Sequence, residues 1–230
     1  MRGLALNTPH LLAALLLLLL GACAPPASLN FGDARTQLIA YKNSGQYMRD
    51  FAAADAAALG YIRERAAQVS KPAIVLDIDE TSLSNWPELM ANGLTFKVEG
   101  PCNNLRKGPC GLKAWQQTAR AEGLGPTVSL ARAAQRLGVT VFFLTGRDEL
   151  VRDATARNLS SAGYRDWKEL ILRPAHSKTP SAADYKAPQR ARIEREGYTI
   201  IANIGDQPSD LSGGHAERSF LLPNPFYRIP

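Results

Sequence analysis

The chain has 230 residues, of which 45% are hydrophobic and 21% are charged, and this composition predicts one globular domain rather than two. Its formal net charge is +6, but the basic residues are scattered among acidic ones, with no run of five or more like charges. The net charge therefore does not discriminate between kinds of partner, and without a basic block no nucleic-acid polymer is expected as partner.

The N-terminal segment has the pattern of a signal peptide. Arg2 gives a short basic region, and Leu11–Leu20 is an apolar stretch that is too short to span a bilayer. Gly21-Ala22-Cys23 follows it and resembles the bacterial lipobox, in which the cysteine is acylated and becomes the mature N-terminus.

Ala24 after this cysteine implies, by analogy with known lipoproteins, sorting to the outer membrane on the side that faces the periplasm. Ala22-Cys23-Ala24 also fits ordinary secretory cleavage, which would release a soluble periplasmic protein. The expected segments are a signal peptide over 1–22, a tether over 23–34 that is lipid-anchored to the membrane through Cys23, and a globular domain over 35–230.

Beyond the tether, hydrophobic spacing and turn residues predict the elements of the domain in chain order. They are two helices within Thr36–Val69 that separate near Ser44-Gly45, a strand over Ala73–Asp77, an irregular insertion over Trp86–Gly125 with a helix near Leu112–Ala121, and a helix from Pro126 to Leu137. Strands at 139–144, 169–172, 199–204 and 219–222 then alternate with helices at 149–162 and 184–196. This alternation predicts an α/β fold with a mostly parallel sheet.

The most informative segment is Asp77-Ile78-Asp79-Glu80-Thr81, which follows an apolar run. Because side chains alternate along a strand, Asp77 and Asp79 are expected to point into one crevice at the carboxyl edge of the sheet, where open α/β sheets bind ligands. Two carboxylates this close repel each other unless a proton or a cation intervenes, and Mg²⁺ is the usual cation for oxygen ligands. The alternative is a helix N-terminus that Asp79 or Thr81 caps, with Glu80 in the first turn.

Three later segments follow this first motif, namely Phe142–Arg147, Tyr185-Lys186 and Asn203–Asp210. Together the four resemble, in the same order, the signatures of the haloacid dehalogenase (HAD) superfamily. The more specific likeness, from about Tyr41 to Leu222–Tyr227, is to the class B-like acid phosphatases of subfamily IIIB, which include bacterial lipoprotein acid phosphatases and plant vegetative storage proteins. The resemblance implies an α/β Rossmannoid three-layer sandwich, with N-terminal helices and a small insertion after the first motif that leaves the site open.

The resemblance also implies a chemical role for each motif. Asp77 would attack phosphorus to form an aspartyl-phosphate, and Asp79 would protonate the leaving alcohol and then deprotonate water. Thr145 and Gly146 would bind the phosphoryl oxygens, and Lys186 would neutralise negative charge on Asp77 and the phosphoryl group.

Mg²⁺ is the implied cofactor, and the acidic residues of the motifs are its expected ligands. Asp206 is the principal ligand, Asp210 is a second ligand or an acceptor behind it, and Asp79 contributes its backbone carbonyl. The candidate metal residues are Asp77, Asp79, Asp206 and Asp210. On the residues alone, Asp206 would also suit the cap of a short turn at Gln207–Leu211, with Asp210 as a solvated residue of that turn.

Several residues keep two interpretations at this point. Thr145-Gly146 is also a common strand-to-loop turn, Arg147 would contact phosphate or pair with a surface acid, and Arg190 is expected to be structural. The aromatic residues in or beside the insertion would stack on an aromatic leaving group or pack in the core. They are Trp86, Phe96 and Trp115.

Cys102 and Cys110 lie in a loop rich in glycine, proline and asparagine, and in an oxidising compartment they are expected to form a disulfide. A zinc site is the alternative, but the sequence has no second cysteine pair and no spaced histidine pair. His176 and His215 lack the spacing of metal ligands and are expected to be loop residues.

The expected function is that of a Mg²⁺-dependent acid phosphatase for small phosphomonoesters, with 5′-nucleotidase activity as a further expectation from the lipoprotein relatives. Two alternatives stay open. One is a non-catalytic storage or binding protein on the same fold, although Asp77 and its partners are present. The other is a phosphotransferase, which would share the aspartyl-phosphate and differ in the acceptor.

Overall fold

The computed structural model describes residues 30–175 and 177–229. The predicted signal peptide, Cys23 and most of the predicted tether lie outside these residues, as does His176. Within the two described ranges, no helix is both long enough and apolar enough to cross a membrane.

The centre of the molecule is a five-stranded sheet in which every neighbouring pair of strands is parallel. Its strands are β1 (Pro72–Leu76), β4 (Thr140–Asp148), β5 (Glu169–Arg173), β6 (Thr199–Gly205) and β7 (Arg218–Leu221), and a separate ribbon pairs β2 (Leu83–Ser84) with β3 (Glu122–Gly123). The main sheet has the order β5-β4-β1-β6-β7. From β1 the chain adds β4 and β5 on one side, and it then adds β6 and β7 on the other side of β1. The direction of strand addition reverses at β1, so a ligand crevice is expected beside the carboxyl end of this strand.

Eight α-helices surround the sheet in the described part of the chain. They are α1 (Phe31–Asn43), α2 (Gln46–Arg65), α3 (Trp86–Ala91), α4 (Leu112–Gln117), α5 (Gly125–Arg136), α6 (Arg152–Ser161), α7 (Ala182–Arg195) and α8 (Pro208–Leu211).

Helices cover both faces of the sheet. On β1, Ile74 and Leu76 belong to the core on the side of α2 and α5, whereas Ala73 and Val75 belong to the core on the other side, where Ile193 of α7 packs. A strand that is buried on both faces must be apolar throughout, which explains the continuous hydrophobic run of β1. These layers confirm the predicted α/β sandwich with a parallel central sheet.

The bounds of the elements differ from the prediction in several places, and helix α4 ends at Gln117 instead of Ala121. Helix α1 begins at Phe31, after Asn30 accepts the Gly32 N–H at 2.8 Å, so residues 31–34 of the predicted tether are helical. Strand β4 continues to Asp148 instead of ending at Leu144. The insertion also contains α3 and the β2-β3 ribbon, because elements this short leave no clear hydrophobic period in a sequence.

The insertion is closed by a disulfide between Cys102 and Cys110, as predicted. The side chain of Asn92 fixes this loop to the end of α3. Its Nδ2 donates to the Cys110 carbonyl at 2.7 Å, and its Oδ1 accepts the Cys110 N–H at 2.9 Å. The disulfide therefore closes the loop, and the pair of hydrogen bonds from Asn92 ties it to α3.

Candidate active site

Asp77 lies directly after β1, at the centre of the carboxyl edge of the sheet. Its N–H donates to the Ile204 carbonyl at 3.0 Å, so the pairing with β6 continues one residue beyond β1. The chain then turns sharply, because the N–H groups of Ser82 and Leu83 both donate to the Ile78 carbonyl at 2.8 Å. Ser82 Oγ also donates to the Asp77 carbonyl at 2.6 Å. These bonds fix the backbone on both sides of the Asp77 carboxylate.

Lys186 of α7 binds this carboxylate. Its Nζ donates to Asp77 Oδ1 and, at 2.6 Å, to Asp210 Oδ1, and its side chain is only 4% exposed. Burial alone would lower the pKa of Lys186, but the charges of Asp210 and Asp77 raise that pKa above its ordinary value. One lysine cation is therefore shared between two carboxylates from separate motifs.

Helix α8 and the residues before it orient Asp210. The helix is capped by Gln207, whose N–H donates to Asp210 Oδ2 at 2.9 Å. A Cβ on Gly205 would lie 2.6 Å from the Asp210 Cβ, so glycine permits this close approach. The cap is thus Gln207 and not Asp206, and Asp210 is buried and not solvated, which corrects the turn interpretation of both aspartates.

Asp206 follows β6 and is almost completely buried. Its Oδ1 accepts from Thr81 Oγ1 at 3.1 Å, and its Oδ2 accepts from Asn224 Nδ2 at 2.7 Å and from the Gln207 side-chain amide. Burial, together with the negative charge of Asp210, raises the pKa of Asp206 to about 7. Two of these three hydrogen-bond partners, Thr81 and Asn224, come from other parts of the chain, so the position of the Asp206 carboxylate depends on several segments of the sheet edge.

The three buried carboxylates form a cluster that suits a metal ion. One oxygen each of Asp77, Asp206 and Asp210 lies within 4.8 Å of the others. Burial raises the pKa of Asp77 well above its usual range, and the charge of Asp210 adds to this effect while Lys186 opposes it. A single lysine leaves an excess of negative charge, which a divalent cation with oxygen ligands would neutralise. The donor set therefore fits a hard divalent metal such as Mg²⁺.

The Asp79 side chain lies outside that cluster and contacts a different set of residues. Arg147 donates to it from Nε at 3.0 Å and from Nη2 at 2.7 Å, and Asn85 Nδ2 donates at 2.8 Å. Burial alone would raise the pKa of Asp79, but the charge and the hydrogen bonds of Arg147 hold it below its ordinary value. Arg147 is itself buried, and its acidic partner Asp79 lies at the site. This corrects the interpretation in which Arg147 pairs with an acid at the surface.

Thr145 and Gly146 lie beside the first motif in the sheet, since β4 pairs with β1 and places Phe143 opposite Leu76. Thr145 has no exposed surface, and its Oγ1 accepts the N–H of Arg147 at 3.1 Å. Gly146 is exposed and lines a cleft at this edge. The Gly146 backbone is therefore accessible to a ligand, whereas the Thr145 hydroxyl supports Arg147.

The cleft above these residues has a volume of about 580 Å³, which suits a small organic ester. Its floor is formed by four acidic and two basic side chains, which are Asp77, Asp79, Asp206, Asp210, Arg147 and Lys186. Apolar side chains form much of the wall, and they include Phe96, Val98, Leu112, Leu150, Tyr227 and Ile229. The cleft would thus suit a ligand that places a charged group at the floor and an organic group against the wall.

Of the three aromatic residues considered above, Phe96 lines the cleft, and its ring centroid is 4.7 Å from that of Tyr227. Trp86 packs instead against Phe226, with centroids 5.3 Å apart. Trp115 is buried in the main core. Core packing therefore accounts for both tryptophans.

Arg190 makes structural contacts and His215 lies in a loop, as expected from the sequence. The Arg190 guanidinium donates to the carbonyls of Asp210 and Gly214, each at 2.8 Å. His215 lies at the surface, with its Nδ1 at 2.6 Å from a carboxylate oxygen of Glu194. Arg190 thus supports the backbone that carries Asp210.

Sequence reasoning missed two asparagine side chains that orient the carboxylates. Asn85 binds Asp79 and is itself held by Trp115, whose Nε1 donates to Asn85 Oδ1 at 2.9 Å. Asn224 binds Asp206 from the C-terminal segment. That segment belongs to the resemblance noted above, so Asn224 carried a signal without an assigned role, whereas a lone asparagine such as Asn85 carried none.

Comparison with known proteins agrees with this geometry. A family model described as HAD superfamily, subfamily IIIB (Acid phosphatase) matches residues 32–230. Acid phosphatase 1 of Solanum lycopersicum is 38% identical over 156 residues, which cover 67% of this chain and 58% of the tomato protein. The stem 28 kDa glycoprotein of Glycine max is 36% identical over 192 residues, which cover 82% of this chain and 72% of that protein. The chain thus spans less than two thirds of the tomato relative.

Two further relatives complete the comparison. Vegetative storage protein 1 of Arabidopsis thaliana is 32% identical over 157 residues, or 68% of this chain and 55% of that protein. The class C acid phosphatase from Bacillus anthracis with tungstate bound has the same fold, with a TM-score of 0.64, 22% identity, and coverage of 85% of this chain and 86% of that one. Since the family match extends over nearly all of the described residues, this chain belongs to the HAD superfamily, subfamily IIIB, the acid phosphatases.

Proposed function

We propose that the protein hydrolyses small phosphomonoesters as an acid phosphatase, with Mg²⁺ as its cofactor and Asp77 as its nucleophile. The observation that carries this proposal is the position of the Asp77 carboxylate. It is bound by Lys186, lies within 4.8 Å of Asp206 and Asp210, and faces a cleft open to solvent. A carboxylate in such a place suits covalent catalysis at phosphorus.

In the first half of the reaction, a carboxylate oxygen of Asp77 attacks phosphorus, and the bond between phosphorus and the ester oxygen breaks. Asp79 gives its proton to the leaving oxygen, which departs as an alcohol. Lys186, the exposed backbone at Gly146 and the Thr145 hydroxyl, whose hydrogen is not used in the bond from the Arg147 N–H, bind the phosphoryl oxygens. In the second half, Asp79 takes a proton from water, the resulting hydroxide attacks phosphorus, and the bond to Asp77 breaks to release inorganic phosphate.

Asp77, Asp206 and Asp210, together with the backbone carbonyl of Asp79, would hold the metal ion, which when bound would supply positive charge to the phosphoryl oxygens and to the carboxylate cluster. The chain itself supplies the remaining positive charge through Lys186. The fixed hydrogen bonds to Asp206 and Asp210 keep both carboxylates in place before the metal arrives.

The environment of Asp79 favours activity at acid pH. Arg147 and Asn85 stabilise its carboxylate and so favour its role as a base. The protonated form, which the leaving group needs, becomes more abundant as the pH falls. Hydrolysis of alkyl phosphates should therefore increase toward acid pH more steeply than hydrolysis of phenolic phosphates.

The decisive experiment is a phosphoenzyme trap with p-nitrophenyl phosphate. Wild-type protein should form an acid-stable, hydroxylamine-labile phosphoenzyme, and Asp77→Asn should form none and show no turnover. Asp33→Asn, at an exposed site on α1, is the matched control and should behave as wild type. Exhaustive treatment with EDTA should abolish turnover, and Mg²⁺ should restore it. Phosphoenzyme on Asp77→Asn would sink the assignment of the nucleophile.

Nucleoside monophosphates are the substrate class that the cleft wall supports best. Phe96, Leu112 and Leu150 offer apolar surface beside the phosphoryl site, on which a base or another aromatic leaving group would pack. A 5′-nucleotide should then have a lower KM than glycerol phosphate, and Phe96→Ala should raise the KM for the nucleotide alone.

Two alternatives are outcomes of the same assays. A phosphotransferase would transfer the phosphoryl group to added glycerol or ethanol in place of water, which product analysis detects. A storage protein would bind phosphate esters without turnover, a possibility that the similarity to vegetative storage proteins brings in. The intact Asp77–Lys186 pair favours the enzyme.

We further propose that the protein is exported and anchored to the outer membrane through acylated Cys23, with the site in the periplasm. The basis is the sequence before and around Cys23, and the disulfide between Cys102 and Cys110 is compatible with an oxidising compartment. Labelled palmitate should be incorporated into wild-type protein and not into Cys23→Ser. An unmodified N-terminus after ordinary cleavage would support a soluble periplasmic form.

A further inference from the structure

Asp55 is a carboxyl group in an otherwise apolar helix interface. It lies in the buried stripe of α2 between Phe51, Ala58 and Ile62, and it is 3% exposed. Its one hydrogen-bond partner in the described part of the chain is Thr127 of α5, whose Oγ1 is 2.9 Å from Asp55 Oδ2, and its Oδ1 has none. An ionised carboxylate in such surroundings is strongly unfavourable.

The protons at Thr127 can be counted. Its Oγ1 lies 2.9 Å from Asp55 Oδ2 and 2.8 Å from the carbonyl oxygen of Thr81. A hydroxyl has one hydrogen, and a carbonyl oxygen has none to donate. Both contacts are full two-centre hydrogen bonds at once only if Asp55 is protonated and donates to Thr127, which then donates to Thr81; an ionised Asp55 would leave the two acceptors to share one hydrogen. Burial raises the pKa of Asp55 to about 7, which agrees with this count.

The chain of hydrogen bonds continues to the candidate metal site. Thr81 is fully buried, and its own hydroxyl donates to Asp206 Oδ1 at 3.1 Å. Asp55, Thr127, Thr81 and Asp206 therefore form one continuous series of contacts. It connects the interface of α2 and α5 with the carboxyl edge of the sheet.

We propose that Asp55, in its neutral acid form, and Thr127 are positioning residues that fix Thr81 and, through it, the carboxylate of Asp206. This inference rests on the proposed role of Asp206 as a metal ligand. When Asp55 loses its proton, the single Thr127 hydrogen turns to the new carboxylate, and the Thr81 carbonyl is left without a donor. Asp206 then loses a fixed partner.

The surroundings of Asp55 leave few other groups that respond to pH. No charged side chain from the described elements packed against it contributes to the pKa of Asp55. Tyr164 is the titratable neighbour, and its hydroxyl donates to the Ser82 carbonyl at 3.1 Å. Burial raises the pKa of Tyr164 above its ordinary value, so that it stays neutral across the range in which Asp55 titrates.

The test uses Asp55→Asn, which keeps a donor toward Thr127 and cannot ionise, and Thr127→Val, which removes the hydroxyl. Thr127→Ser is the conservative rescue. Thr36→Val is the matched control, because its hydroxyl also bonds a carbonyl, at 2.9 Å, but within the exposed α1. Thermal denaturation verifies that each variant is folded.

Two measurements are made at about pH 5.5 and about pH 8.5, on either side of the expected titration. The infrared difference spectrum between wild type and Asp55→Asn should contain the C=O stretch of a protonated carboxyl group at the lower pH only. Calorimetric titration with Mg²⁺ should give wild type and Asp55→Asn equal dissociation constants at the lower pH. At the higher pH, wild type should bind Mg²⁺ roughly fivefold more weakly than Asp55→Asn, as expected for one lost hydrogen bond. Thr127→Val should be weaker at both, and Thr127→Ser should restore the affinity.

Absence of the carboxyl band at the lower pH, or the same ratio of dissociation constants for wild type and Asp55→Asn at both pH values, would overturn this inference while leaving the phosphatase proposal intact. Wild-type protein that binds no Mg²⁺ and keeps full activity in EDTA would overturn the proposed metal role and this inference with it. The two failures are therefore distinguishable.

Discussion

Replacement of Glu88 by glutamine tests how much a buried acid in the insertion changes the free energy of unfolding as the pH rises. Glu88, on α3, has no exposed surface; its Oε1 accepts from Asn92 Nδ2 at 2.6 Å, and its Oε2 has no partner in the described part of the chain. Burial raises the pKa of Glu88 from 4.5 to about 8, and the negative charges of Glu80 and Asp79 act in the same direction.

The sign and the size of the effect on the free energy of unfolding follow from the difference between the pKa of Glu88 in the folded protein and its ordinary value. Because the pKa of Glu88 is higher in the folded protein than in the unfolded chain, the folded state takes up the proton, and its stabilising effect is complete below about pH 4.5 and is lost as the pH rises through about 8. At roughly 1.36 kcal/mol for each pH unit, the upper limit is about 5 kcal/mol. Solvent screening and relaxation of the loop reduce this to about 2–4 kcal/mol.

Glu88→Gln should therefore equal wild type in free energy of unfolding, within about 1 kcal/mol, near pH 5, and exceed it by about 2–4 kcal/mol above pH 8. Urea denaturation at several pH values measures both quantities. Glu64→Gln, at an exposed position of α2, is the control and should show no such trend. A difference between Glu88→Gln and wild type that does not change with pH would refute the reasoning.

Three other variants or measurements test the site and the insertion. Lys186→Met leaves two carboxylates buried without their cation. This variant should lose turnover, and its free energy of unfolding should be lower by about 3–5 kcal/mol. Unchanged stability in urea would contradict the charge argument. Asp79→Asn should still trap phosphoenzyme on Asp77 with p-nitrophenyl phosphate while turnover falls by about 10²–10⁴-fold, and wild-type turnover would show that Asp79 is not the acid–base. Mass spectrometry without reductant should show the peptides of Cys102 and Cys110 joined and lacking both thiol hydrogens, whereas two alkylatable thiols would speak against the bond.

The sequence was sufficient to predict the sheet edge and the residues gathered there. Strands β1, β4 and β6 each combine an apolar run with polar residues at the carboxyl end, and the parallel order places these ends together. Asp77 and Asp206 are adjacent for this reason, and Lys186 reaches them from the helix between β5 and β6. Local pattern and topology thus account for Asp77 and Asp206, whereas Lys186 was assigned through the family resemblance.

The remaining contacts depend on distances between elements, which periodicity does not encode. The bidentate pairing of Arg147 with Asp79 requires β4 to continue as a strand past Leu144, and a Thr-Gly pair is equally typical of a turn. Asp55 stands in an alanine-rich helix where a surface aspartate would look the same. Its burial becomes apparent only when α5 packs against α2 and brings Thr127 to it.

The structure separates the two carboxylates of the first motif by their surroundings. Burial and Asp210 raise the pKa of Asp77, whereas Arg147 holds the pKa of Asp79 below its ordinary value. Without a further cation, Asp77 is thus driven toward the protonated form, which is a poor nucleophile, and Asp79 toward the ionised form, which cannot protonate a leaving group. A divalent cation beside Asp77 would correct the first of these and acid pH the second. The proposed metal requirement and the proposed preference for acid conditions would therefore have separate causes in this site, although Asp77 and Asp79 are separated by only one residue in the sequence.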